Sequence, residues 1–141
     1  MSYWTDVDCI VKIDSKEPIE NFTDIFGKEC RWESPKEVWD DMANNPDMYL
    51  PSGNEGTLCL KTRLMTRVPS SKYPYRYKCK VFGNLRQFTS WHILIEWLES
   101  SLKKIQGDAQ TCAKIHAYCD YMGEYFWSHT DYGYNDPYFY K

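Results

Sequence analysis

Apolar and polar residues alternate along four segments of the chain, and a period of two is typical of a half-buried β-strand. In the first segment, from Asp6 to Ile13, apolar residues occupy the odd-numbered positions. The pattern predicts further strands from Thr57 to about Arg67, from Tyr75 to Phe82 and from Ala113 to Tyr121. The Gly-Asn pair that follows the third strand is expected to end it.

Apolar residues recur every three or four positions between these strands, which predicts helices. A short helix is expected after Pro18, from Ile19 to Phe26. The sequence Ser34-Pro35-Lys36-Glu37 has the form of a capping box and predicts a second helix to about Asn44. The longest helix is expected from Trp91 to Ile105. The loop at residues 45–56 is long for a compact domain and is a candidate contact surface.

This order of elements predicts a fold of the α+β class, because two helical groups separate the strands along the chain. We expect a ferredoxin-like sandwich, in which a four-stranded, mainly antiparallel sheet carries its helices on one face. Right-handed parallel crossovers would join the first strand to the third and the second to the fourth. Residues 1–141 are expected to form this single domain, with an aromatic C-terminal extension at residues 121–141.

The face of the sheet opposite the helices is expected to be basic. If the apolar sides of the strands lie under the helices, cations of neighbouring strands form one patch, with Phe82 and Tyr118 as rings that can stack on bases. The acidic residues are expected elsewhere, Asp6 and Asp8 among them. The alternative is a solvated face whose charges deter edge pairing. The predicted anion or nucleic-acid site comprises Lys61, Arg63, Arg76, Lys78, Lys80, Lys114, His116 and Tyr118.

Nine aromatic residues lie between Tyr121 and Lys141, which argues for an ordered segment because disordered tails are poor in aromatics. The rings either pack against the domain or face a partner, since Tyr and Trp are enriched at the centres of interfaces. For the second case, the predicted partner-binding residues are Tyr125, Trp127, Asp131, Tyr132, Tyr134, Asp136 and Tyr138.

The composition of the chain argues against several classes of protein, among them generally basic nucleic-acid-binding proteins and membrane proteins. The formal net charge of −3 excludes a basic coat over the whole surface, although a local basic patch is compatible with it. No apolar run reaches the roughly 20 residues of a membrane span, and the polar start from Met1 to Asp8 predicts no signal peptide. The six cysteines include no Cys-x-x-Cys pair, so we expect reduced thiols and a cytoplasmic protein.

The sequence shows none of the common catalytic motifs. The chain has no phosphate-binding Gly-rich loop, no Gly-x-Ser-x-Gly elbow and no His-Glu-x-x-His pair. Cys112 and His116 lie on one side of a predicted strand, but four residues of strand separate them by about 13 Å. The sequence therefore predicts a protein that is not an enzyme and has no cofactor and no metal site.

The segments "VDCIVKI", "IENFTDIFG", "SWHILIEWLESSLKKIQ" and "AKIHAYCDYMGEYFWSH" resemble, in layout, ferredoxin-like small proteins carried by bacteriophages and plasmids. This resemblance implies an accessory protein of a mobile element in the cytoplasm of a bacterial host cell. Small acidic phage proteins rich in aromatics are often inhibitors of host defence, as anti-CRISPR proteins are. The resulting hypothesis is a non-enzymatic module that binds a host protein or protein–nucleic-acid complex by steric occlusion. Direct nucleic-acid or nucleotide binding by the basic face is the alternative.

Overall fold

The computed structural model describes residues 3–31, 33–53, 55–67, 72–105 and 109–130. In this part of the chain, the five strands are β1 Trp4–Ser15, β2 Leu58–Arg67, β3 Tyr75–Arg86, β4 Ala109–Cys119 and β5 Gly123–Thr130. The helices are α1 Thr23–Phe26, α2 Lys36–Asn44 and α3 Trp91–Lys103, and a 3₁₀ turn spans Pro46–Met48. The described structure is thus mostly β, with short helices.

The strands form one sheet in the order β2-β3-β1-β4-β5, and each neighbouring pair is antiparallel. The predicted four-stranded ferredoxin-like α+β sandwich is wrong, because the sheet has five strands and the helices of the described residues are short. The parallel crossover predicted between the first and third strands is also wrong, since β1 pairs antiparallel with β3. Strand β1 is central in the sheet, because it is hydrogen-bonded to β3 on one edge and to β4 on the other along nearly its whole length.

The core lies between one face of the sheet and helices α1 and α3. The odd-numbered residues of β1, from Val7 to Ile13, are buried there beside those of β3 and β4. Phe26 of α1 and Leu94 and Leu98 of α3 cover them. The Trp97 indole N–H also donates to the Phe26 carbonyl oxygen (2.6 Å), which fixes the two helices to each other.

Several local predictions are corrected. The first helix is only four residues long and begins at Thr23. The capping box before α2 does not form, because the Ser34 hydroxyl accepts the backbone N–H of Arg31 (3.1 Å) and Pro35 is the N-cap residue. The third strand continues through Gly83 to Arg86. Its pairing with β1 on one side compensates for the weak strand propensity of the Gly-Asn pair.

The predicted C-terminal extension begins as regular structure. Residues 123–130 form β5, which pairs with β4 through a tight turn at Gly123, where φ is +83°. The remaining residues, 131–141, lie outside the described part of the chain.

Candidate functional site

The sheet face opposite the core, called here the polar face, carries the even-numbered residues of β1, β3, β4 and β5 and, up to Arg63, the odd-numbered residues of β2. The strand register aligns these residues in rows across the sheet. Two adjacent rows hold six cations and no carboxylate, and we call them the cationic rows. In order from β2 to β5, the first row consists of Lys61, Lys80, Ile10, Lys114 and Ser128. The second row, in the same order, consists of Arg63, Lys78, Lys12, Cys112 and Thr130.

The accessible charge of the cationic rows is concentrated on β2 and β3. Lys61, Arg63 and Lys80 are exposed, and Lys78 is half-buried. Lys12, on the central strand, is only 8% exposed, so it contributes little to a contact with a ligand. Lys114 of β4 is half-buried. The sequence-predicted cations thus share one face, but they are not equally accessible.

Arg76 differs from the other predicted cations because its own protein binds its guanidinium group. Its Nε donates to Asp14 Oδ1 (2.7 Å) and its Nη2 donates to Asp14 Oδ2 (2.9 Å). The Asp14 side chain is 11% exposed, so this bidentate pair is largely removed from water. A planar, partly buried pair of this kind orders the sheet, and a ligand would have to compete with Asp14 for the cation.

Aromatic rings lie beside the cationic rows. Phe82 of β3 lies between two ammonium groups, with Lys61 Nζ and Lys80 Nζ at 5.6 and 5.3 Å from the ring centroid. On the other half of the sheet, the rings of His116 and Phe126 stack at 4.4 Å, nearly parallel. Phe126 is 66% exposed and Tyr118 is 43% exposed, so both offer a ring to a ligand.

The acidic residues are not separated from the cations, contrary to the expectation. Asp6 and Asp8 lie on the polar face because the alternation of β1 places every even-numbered residue there. With Glu124 of β5, they line a depression of about 600 Å³ at one end of the sheet. The expected separation of acidic from basic residues is wrong, because the period of two in β1 puts Asp6 and Asp8 on the same face as Lys12.

The predicted partner-binding rings of β5 point toward the core side of the sheet. Tyr125 and Trp127 pack partly against the core, and the Tyr125 ring stacks on Trp91 at 5.6 Å. Sequence reasoning missed Phe126 and Glu124, which occupy the opposite face of β5. The other predicted partner-binding residues lie outside the described part of the chain: Asp131, Tyr132, Tyr134, Asp136 and Tyr138.

The six cysteines are free thiols. Burial raises the pKa of the Cys79 thiol to about 12 and the pKa of Cys9 well above its ordinary value. Such thiols are poor nucleophiles and poor metal ligands because the thiolate is the reactive form. Among the residues that the structure describes, no three His, Cys, Asp or Glu side chains are grouped as metal ligands would be.

Within the described ranges, none of the helices has both the length and the apolar character needed to cross a membrane. Comparison with protein-family models, with curated proteins and with solved structures found no match. The polar face is therefore the evidence that bears on function, and the resemblance to phage-borne proteins stays a prediction.

Proposed function

We propose that the protein is a binding module for single-stranded nucleic acid, and that the polar face of the sheet is the interface. The observation that carries the proposal is the juxtaposition of the cationic rows with exposed rings on one face. Phosphates bind ammonium and guanidinium groups, and unstacked bases bind aromatic rings without regard to sequence. Both kinds of group lie on the same side of one rigid sheet.

The dimensions of the face suit this ligand. Adjacent strands are about 4.8 Å apart, and residues two positions apart on one strand are separated by about 7 Å. The cations of β2 and β3 therefore form a compact block, and the rings of His116 and Phe126 lie two or three strands away, in the row next to it. A short single strand crossing the sheet would meet positive charge first and aromatic surface next.

The net charge of −3 agrees with local rather than general attraction. The exposed face of α2 carries Glu37 and Asp40, whereas Asp14 on the polar face is paired with Arg76. Because the overall field is weakly negative, long-range steering of a polyanion is small, and affinity must come from contacts at the cationic rows. We therefore expect binding that weakens strongly with salt.

The test is fluorescence anisotropy at low salt with labelled oligouridine RNA and oligothymidine DNA of about 12 nucleotides, a typical site size. The two probes distinguish RNA from DNA as the source of the ligand. Reversing two exposed cations, Lys61→Glu with Lys80→Glu, should weaken binding at least tenfold. Lys36→Glu, at an exposed lysine of α2, is the single-site control and should change affinity less than twofold.

Failure of both probes to bind at low salt would exclude the proposal. Equal affinities of the wild type and the doubly reversed variant would exclude the cationic rows as the interface. Circular dichroism and thermal melting of each variant establish that the sheet is retained.

A protein partner is the second candidate, in the form of an inhibitor that occludes a host defence complex, as the resemblance to phage-borne proteins implies. The observation that favours it is the exposure of apolar rings, because Tyr121 is 76% exposed and Phe126 is 66% exposed. Affinity capture from bacterial lysate, with and without nuclease, separates the two candidates. A protein retained after nuclease treatment and lost with Phe126→Ala would favour the inhibitor.

The cytoplasm of a bacterial cell is part of the same proposal. It is supported by the six free thiols, since a reducing compartment keeps cysteines in this form. Because five of these thiols are buried, the cells should be lysed directly into denaturant that contains an alkylating reagent, and mass spectrometry should then find all six cysteines modified.

A further inference from the structure

The depression at the end of the polar face has the attributes of a base pocket. Its volume is about 600 Å³, and residues of β1, β3, β4 and β5 line it. Lys80 lies at its boundary with the cationic rows, so a nucleotide whose phosphate is bound there can reach the depression with its base. The polar residues that line it are Asp6, Asp8, Lys80, Asn84, His116, Tyr118 and Glu124.

Rings flank this depression on both sides. Phe82 of β3 lies on one side and His116 and Tyr118 of β4 lie on the other, with β1 between them. Two strand spacings, about 10 Å, separate the backbones of β3 and β4. A planar base can therefore contact aromatic surface on either side while its edge faces the residues of β1.

The polar groups that face the depression from β1 and β5 are hydrogen-bond acceptors. The carboxylates of Asp6, Asp8 and Glu124 accept hydrogen bonds but donate none. In the amide orientation that satisfies its neighbours, with oxygen and nitrogen exchanged, the Asn84 nitrogen donates to Asp6 Oδ1 at 2.5 Å. Lys80, His116 and Tyr118 bring donors from β3 and β4. A base edge that faces β1 and β5 is thus matched where it presents donors.

Among these carboxylates, Asp8 has a buried oxygen that accepts no hydrogen bond from the described residues. Its Oδ1 atom is removed from water and accepts no hydrogen bond within the described residues, and Lys80 Nζ is 3.9 Å away. A desolvated acceptor without a donor is costly, so a ligand that supplies N–H groups is favoured there. The side chain itself is 49% exposed, so the carboxylate can be approached from the depression.

We propose that this depression is a base-selective subsite that prefers guanine over uracil and thymine. Guanine presents N1–H and N2–H₂ side by side, and the two oxygens of one carboxylate, Asp8, can accept both after a side-chain rotation turns the buried Oδ1 toward the depression. Uracil and thymine present a single N–H between two carbonyl oxygens, which the carboxylates repel. The phosphate is excluded by the same negative charge and stays on the cationic rows.

This inference deepens the proposed nucleic-acid binding and rests on it. The test uses oligouridine or oligothymidine of about 12 nucleotides, whichever binds the wild type more tightly, with one central guanine. We expect about tenfold tighter binding than for the strand without guanine, the size of discrimination given by one bidentate contact. Replacing the guanine by hypoxanthine, which lacks the 2-amino group, should remove most of this gain.

The variant Asp8→Asn should reduce the preference for guanine to less than about twofold. It also removes a carboxylate beside Lys80, so the affinity for the guanine-free strand should rise, and the preference is therefore measured as the ratio of the two affinities within each variant. The comparison of guanine with hypoxanthine needs no variant, so it stays informative if Asp8→Asn fails to fold. Equal affinity of the wild type for strands with and without guanine would overturn the base pocket alone. Absence of binding to every strand would overturn both the pocket and the proposed function.

Discussion

Gly27 lies where the chain leaving α1 passes against the backbone near the 3₁₀ turn. A Cβ atom at this position would be 2.7 Å from the Tyr49 carbonyl carbon and 2.8 Å from the Leu50 nitrogen. The backbone N–H groups of Lys28 and Leu50 are hydrogen-bonded across the same contact, to Met48 and Lys28 carbonyl oxygens. The approach is therefore held by the backbone and cannot relax by moving a side chain.

We expect Gly27→Ala to lower the free energy of unfolding by about 2 kcal/mol more than Gly123→Ala. Both glycines have positive φ, +119° and +83°, so both substitutions strain the backbone. Only Gly27 has atoms in the way, because a Cβ at Gly123 meets nothing within 4 Å. Urea unfolding of the two variants measures the difference, and equal losses would contradict the close approach.

Single residues also show what sequence cannot decide. Arg63 and Arg76 both lie on predicted strands with the same alternation, yet Arg76 is bound by Asp14 and Arg63 is exposed. The partner comes from β1, more than sixty residues away in the chain. The period of each strand predicted which face these cations occupy, but availability for a ligand depends on the pairing of strands.

Strand β5 is the element that the sequence pattern concealed. Its core-side residues, Tyr125 and Trp127, and the ring of Phe126 on its polar face are all aromatic. A period of two in hydrophobicity is visible only when the two faces differ in polarity, so rings on both faces hide it. The other four strands were predicted because their polar faces carry charges.

Because adjacent rings of β5 lie on different faces of the sheet, we expect their removal to cost different amounts of stability. Trp127→Ala should lower the free energy of unfolding by about 2 kcal/mol, because this ring packs against the core. Phe126→Ala should cost less than about 1 kcal/mol, since it removes an exposed ring that stacks on His116. Thermal melting of both variants measures the contrast. If Trp127→Ala melts like the wild type, the ring does not contribute to the core.

Helix α2 is attached to the residues after it through Asp41, which accepts side-chain hydrogen bonds from Asn45 and Tyr49. The Tyr49 hydroxyl donates to Asp41 Oδ2 (2.6 Å), which holds the pKa of this carboxyl below its ordinary value of 3.8. The same bond raises the pKa of Tyr49 to about 12 from 10.0. Helix α2 has no buried residue, so this contact is a substantial part of its attachment.

Tyr49→Phe should therefore reduce stability in a window of pH. The carboxyl with its lowered pKa stabilises the fold above about pH 4 and loses this effect as the pH falls. The hydroxyl with its raised pKa stabilises the fold below about pH 10 and loses this effect as the pH rises toward 12. The difference between wild type and variant, measured by urea unfolding, should be largest between these limits. When Tyr49→Phe is made in the Asp41→Asn variant, the loss of stability should no longer depend on pH in the acidic range. If the loss of stability caused by Tyr49→Phe alone is the same at every pH, the bond between Tyr49 and Asp41 is contradicted.

Across the protein as a whole, the order of the strands was the part beyond sequence reasoning. Local patterns predict that strands exist and which residues share a face, but every order of strands that buries the apolar faces satisfies them. The observed order places β1 between β3 and β4 and leaves β2 and β5 at the edges. This order brings the cations of β2 next to those of β3 and the rings of β4 next to the ring of β5. The polar face therefore has a cationic half on β2 and β3 and an aromatic half on β4 and β5.

The division of the polar face predicts how binding depends on salt. Lys61, Arg63, Lys78 and Lys80 are the accessible cations of β2 and β3, and about four neutralised phosphates give a slope of log K against log salt near −3 for a single strand. Lys61→Ala should reduce the slope by about 0.7 and Lys36→Ala should leave it unchanged. The preference for guanine should persist at every salt concentration, because hydrogen bonds to Asp8 release no counterions. A slope near zero would instead indicate that contacts other than phosphate contacts hold the ligand, and the cationic rows would lose their role.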